Sequence, residues 1–157
     1  MKHHLLFVLA LSSCLLSSYR YKNRTYQTEC FSVETDGFIA VKIWDTKRGV
    51  KYKPERAKKD AVHAVLYSGI AAGNSCSTQP PILNTQDEQD KFSKIIKRFF
   101  SRRGAWALFT RSSISEVTSS SLVNNSNCKV YQVFISKNNL RKYLEDQNVI
   151  KSINHGF

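Results

Sequence analysis

Residues 29–45 read ECFSVETDGFIAVKIWD, and the Asp36-Gly37 pair inside this run decides the fold. Asp-Gly accommodates positive φ at the two central positions of a tight turn and is among the strongest short signals for a β-hairpin. Strands are therefore expected at Glu29 to Glu34 and at Phe38 to Asp45. In the second, Ile39, Val41 and Ile43 alternate with Phe38, Ala40, Lys42 and Trp44, giving one wholly apolar face and one mixed face. The apolar face should meet the core.

Beyond the hairpin, residues 46–69 (TKRGVKYKPERAKKDAVHAVLYSG) begin as a basic loop. Pro54 then suits the first turn of a helix. Ala57, Ala61, Ala64 and Val65 share one helical stripe, and their small size predicts close packing on the sheet. Gly69 suits a left-handed cap. Residues 70–84, rich in Gly, Ser and Pro, read as loop. Phe92, Ile95, Ile96, Phe99 and Phe100 follow an i, i+3, i+4, i+7, i+8 series that predicts one amphipathic helix ending at Gly104. Residues 105–120 read as a strand with a serine-rich continuation. Asn124 to Asn127 form a turn, and residues 128–137 return as a strand, which makes a second hairpin. Asn138 or Asn139 is expected to cap LRKYLEDQ, with Leu140, Tyr143 and Leu144 inward. Val149, Ile150, Ile153 and Phe157 predict a docked C-terminus. The order implies an α+β fold, a mainly antiparallel sheet of two hairpins with two or three helices on one face.

The first 14 residues, MKHHLLFVLALSSC, have a weakly cationic start, an apolar run at Leu5 to Leu11 and small residues at Ser12 to Cys14. This is the plan of a secretory signal peptide, too short to span a bilayer. Leu11 to Cys14 also resembles a bacterial lipobox, in which Cys14 is lipidated and kept. Leu15 and Leu16 argue instead for simple cleavage, so both fates of Cys14 stay open. Residues 15–28 read as a polar, basic tether, and 29–157 as a single domain of a size that holds a proper core.

The chain carries 24 Lys and Arg against 12 Asp and Glu, a formal charge of +12. Such a field draws anions: acidic proteins, anionic membrane or glycan surfaces, and nucleic acid. An exported chain seldom has nucleic acid as its working ligand, which sets that partner last. Lys47, Arg48, Lys51, Lys53, Arg56, Lys58 and Lys59 form the most basic stretch and the expected contact for an anionic partner.

Export would allow Cys30, Cys76 and Cys128 to form disulfides. Three is an odd number, and spacing does not choose the pair. The sharpest catalytic candidate is Gly73 to Ser77, whose Cys76, with His63 and Asp60 or Asp87, sketches a cysteine hydrolase. Two features oppose it: Cys76 precedes STQPP, which resists the helix that stabilises a thiolate, and His63 lies at the apolar stripe of its helix. No phosphate-loop, dinucleotide or zinc-protease signature is present, and no cofactor or metal is expected.

AKKDAVHAVLYSGIAAGNSCSTQPPIL, together with the ending ISKNNLRKYLEDQNVIKSINHGF, resembles a group of small secreted proteins or lipoproteins of Bacteroidota. The resemblance covers most of the chain after the leader, implies export, and brings no catalytic residues with it. By layout the domain is also similar to small α+β lipoprotein domains of the curli-secretion and penicillin-binding-protein-activator type, a likeness of fold that does not transfer function. The expectation is an exported, non-enzymatic envelope protein, periplasmic or lipid-anchored and otherwise secreted, that acts through protein or anionic-surface contacts. The cysteine hydrolase is the rival, and the nucleic-acid or anionic-polymer binder the third reading.

Overall fold

The computed structural model describes residues 24–73, 76–111, 115–117 and 128–152. The leader with Cys14, the Asn124 to Asn127 turn, and Ile153 and Phe157 lie outside them.

Strands β1 (Tyr26–Val33), β2 (Phe38–Asp45), β3 (Ser115–Val117) and β4 (Val130–Ser136) form one sheet in the order β1-β2-β4-β3. All three strand pairings are antiparallel. The fold is α+β, with two hairpins joined through the β2 and β4 pair. Gly37 takes φ 80°, the left-handed conformation that the Asp-Gly pair foretells. β1 carries an irregularity at Cys30 and Ser32, which leaves Phe31 outside the pairing.

The inner face follows the alternation. Ile39 pairs with Ile135, Val41 with Val133 and Ile43 with Tyr131, and all six are buried. Helix α1 (Pro54–His63) continues as a wider turn over Ala64–Ser68 and ends at Gly69, whose φ is 72°. Ala57, Ala61, Ala64 and Val65 are buried against this face, as their stripe predicts. Small side chains there let the helix backbone approach the sheet closely. Leu140 and Leu144 of α4 (Lys137–Asp146) and Val149 and Ile150 beyond it complete the same core.

Four expectations need correction. The long amphipathic helix is two pieces, α2 (Gln86–Ser93) and α3 (Ile96–Phe99). Thr85 and Glu88 form a capping box at its start. At its end the Ser93 hydroxyl donates to the Asp90 carbonyl and the Lys94 amide to Lys91, which tightens the last turn and breaks the run. The apolar series survives the break, since Phe92, Ile96 and Phe99 are buried and Phe99 packs against Phe92, Phe100, Phe109 and Tyr143. Second, Ala105–Phe109 is a short 3-10 helix and not a strand; the Trp106 indole donates to the Ser101 carbonyl, which holds the turn after Gly104. Third, α4 starts directly after β4, with Ser136 and not Asn138 or Asn139 at its N-cap, because the Lys137 amide is taken by the Gly37 carbonyl. Fourth, β1 begins inside the expected tether: Tyr26, Gln27 and Thr28 pair with Asp45, Trp44 and Ile43.

Residues 69–73 and 76–79 form a strap along the free edge of β1. The Cys30 amide donates to the Ala71 carbonyl, Ile70 and Gln79 exchange backbone hydrogen bonds, and Cys30 is disulfide-bonded to Cys76.

Candidate functional site

Two buried aspartates organise the basic loop that follows β2. Asp45 ends β2 and is almost fully covered. Its carboxylate accepts from the amides of Lys47 and Arg48, from Arg48 Nε at 3.0 Å and from the Thr25 hydroxyl, which lies 2.8 Å from both oxygens. A carboxylate at this position draws the following backbone into a turn, which continues as a 3-10 turn at Gly49–Lys51. Asp60, on the second turn of α1, is equally covered. It accepts from Arg24, from Arg56 Nε at 3.0 Å and from the Tyr52 hydroxyl at 3.2 Å. Burial first, and then the Asp60 carboxylate, push the Tyr52 phenol far above its ordinary range, so it stays a donor.

Arg24, Arg48 and Arg56 thus converge on a notch of about 150 Å³, with Asp45 and Asp60 as its walls. Arg24 and Tyr26 also line a larger cleft of about 700 Å³ that runs between the start of β1 and the strap. Gln27, Thr28, Ser68 and Thr78 supply its polar lining. The Tyr26 hydroxyl shares a hydrogen bond of 2.7 Å with His63 Nδ1 and lies 3.4 Å from the Ser68 hydroxyl. His63 stacks on Tyr67, with ring centroids 4.8 Å apart. Burial, helped by the Arg24 and Arg56 guanidinium groups, lowers the His63 pKa from 6.5 to about 3. The imidazole is therefore neutral at physiological pH and a weak base.

The hydrolase set is not assembled. Cys76 is held in the disulfide with Cys30 and has no thiol to ionise. His63 faces Tyr26 and Tyr67, Asp60 is engaged by two arginines and a tyrosine, and Asp87 pairs with Lys91 on the exposed side of α2. Cys128, half-buried ahead of β4, is outside the bridge. Among the described residues no group of three or more His, Cys, Asp or Glu is arranged to hold a metal ion, and no helix is long and apolar enough to cross a membrane.

The seven basic residues of the expected contact divide into three groups. Lys47, Lys51 and Lys53 are exposed, with Val50 exposed beside them. Arg48 and Arg56 are anchored by the aspartates yet keep 49% and 42% of their side chains open to water. Lys58 and Lys59 are half-buried along α1; Lys59 pairs with Glu55 and lies 4.9 Å from the centre of the Trp106 ring. Sequence reasoning missed Arg24, Thr25 and Tyr26, which read as tether, and Asp45, which read as the end of a strand. The i, i+4 spacing of Arg56 and Asp60 and the i, i+3 spacing of Asp45 and Arg48 were the local signals for the network.

Comparisons with protein-family models, with curated proteins and with solved structures give no match.

Proposed function

We propose that this chain is an exported, non-catalytic binding protein of the cell envelope that engages an anionic partner through its basic loop and the adjoining first turns of α1. The observation that carries the reading is the clamped loop itself. Asp45 and Asp60, both buried, fix the two arginines and the turn between them, so Lys47, Lys51 and Lys53 project from a backbone already held in place. A flexible cationic tail loses conformational entropy when it binds, whereas a fixed array of charges loses much less. The absence of an ionisable thiol at Cys76 and the neutral His63 remove the support that the hydrolase reading had.

Vesicle flotation tests it. The chain should float with vesicles containing phosphatidylglycerol, and less so as salt rises, because each exposed cation contributes through a screened field. Lys47, Lys51 and Lys53 replaced together by Glu should lower the bound fraction by about tenfold at low salt. Equal flotation of the parent and the triple variant would rule the loop out as the contact.

A further inference from the structure

We propose that the arginine notch and the cleft beside it form one binding site for a sugar that carries a sulfate or phosphate monoester. The inference deepens the anion-binding reading and rests on it, naming the ligand that the Arg48 and Arg56 end of that surface would take.

The chemistry begins with the arginines. A guanidinium carries five N–H donors in a rigid plane. Arg48 and Arg56 each hold an aspartate through Nε alone. Among the described residues their Nη groups make no protein hydrogen bond. Fastening at Nε fixes the plane of each fork and leaves its outer donors facing water. Two such forks suit a tetrahedral oxyanion, whose several oxygens can each take a charge-assisted hydrogen bond.

The aspartates do not cancel this. Both oxygens of Asp45 are taken by Thr25, with the loop amides and Arg48 sharing them, and both oxygens of Asp60 by Arg24, Arg56 and Tyr52. Three guanidinium groups against two carboxylates leave the notch with a net positive charge. Its volume of about 150 Å³ admits a sulfate or phosphate group but is too small for the ring that bears it. The ring must lie next door.

The neighbouring cleft shares Arg24 and Tyr26 with the notch and holds about 700 Å³. Its side chains at Gln27, Thr28, Ser68 and Thr78 both donate and accept, which matches a ring of hydroxyls; an apolar ligand would leave these groups unsatisfied. Tyr26, whose hydroxyl is held by His63 and whose ring lies 6.0 Å from the Arg24 guanidinium carbon, is the fixed wall common to notch and cleft. Anchored anion and hydroxylated ring together define the ligand class.

Isothermal titration calorimetry on the full chain, with its disulfide intact, separates the parts. The probes are glucose 6-sulfate, glucose 6-phosphate, glucose, inorganic sulfate and inorganic phosphate. One of the two esters should bind at least about tenfold more tightly than its inorganic anion and than glucose, and which ester wins identifies the sulfated or the phosphorylated source. Arg48→Lys with Arg56→Lys, which keeps the charge and removes the fork, should weaken the ester by about tenfold or more. Ser68→Ala with Thr28→Ala should weaken the ester and leave the inorganic anion unchanged, a readout that does not depend on the arginine variant folding. Esters that bind no better than the inorganic anions, or that ignore both variant pairs, overturn the proposal. Vesicle flotation that still depends on Lys47, Lys51 and Lys53 would then leave the basic-loop reading standing, so the two failures are distinguishable.

Discussion

The Tyr26 hydroxyl and His63 Nδ1 meet at 2.7 Å across the base of the cleft, joining the first residue of β1 to the last residue of α1. A strand that begins in a polar, basic segment is thereby tied to the helix that covers the sheet. Burial at this junction, helped by the Arg24 and Arg56 guanidinium groups, keeps the imidazole neutral, with consequences for how the fold responds to acid.

His63 titrates near 6.5 when unfolded and about 3 in the fold. Its neutral form is favoured by folding, so its contribution is fully present above about pH 6.5 and is lost as pH falls from there towards about pH 3. The limiting slope is about 1.4 kcal/mol per pH unit. Urea unfolding midpoints should fall more steeply between about pH 6 and pH 4.5 in the parent than in His63→Phe. Parallel curves for the two would show that His63 is not the group responsible.

Asp60→Asn should destabilise the fold by about 2 to 3 kcal/mol, towards the low end for a broken buried pair because Arg56 stays partly in water. The loss comes from Arg24, Arg56 and Tyr52, three donors that share one carboxylate. Tyr52→Phe removes a single donor and should cost about 1 kcal/mol. Chemical denaturation of both variants checks the ratio.

Gly73→Ala should shift the strap off β1. A β-carbon at Gly73 would stand 1.9 Å from the Cys30 carbonyl oxygen, a backbone atom with no freedom to move aside. A cost of about 1 to 3 kcal/mol is expected. Amide exchange at Cys30, whose N–H is bonded to Ala71, should speed up by more than the global loss of stability explains.

Cys30→Ser with Cys76→Ser should lower stability by about 4 kcal/mol, the chain-entropy value for a link spanning 46 residues. In the parent, Cys76 should take up iodoacetamide only after reduction. Rapid labelling of Cys76 without reductant contradicts the bridge.

The hairpin was legible because its signals are local: Asp-Gly sets the turn, and the alternation of Ile39, Val41 and Ile43 sets the buried face, so β2 runs from Phe38 to Asp45 as expected. The alanine stripe of α1 was legible for the same reason. The break after Ser93 was not, because an apolar series at helical spacing looks the same whether or not the backbone is continuous. Ala105–Phe109 failed as a strand because short runs of aromatic and aliphatic residues fit either state until an interaction such as Trp106 with Ser101 decides. The basic stretch at Lys47 to Lys59 was visible as composition, but its division into free lysines and anchored arginines depends on Asp45 and Asp60 being buried. Arg24 and Thr25 escaped notice because their partners lie 36 and 20 residues away, and no local pattern encodes a contact at that distance.

The link between Cys30 and Cys76 makes residues 30–76 a closed covalent ring, and the exposed lysines of the basic loop sit on its circumference. A protease that cuts after Lys47 or Lys51 opens the ring without releasing either piece. A single nick in this exposed loop therefore leaves the molecule whole, its two fragments joined through the disulfide until a reductant follows the blade.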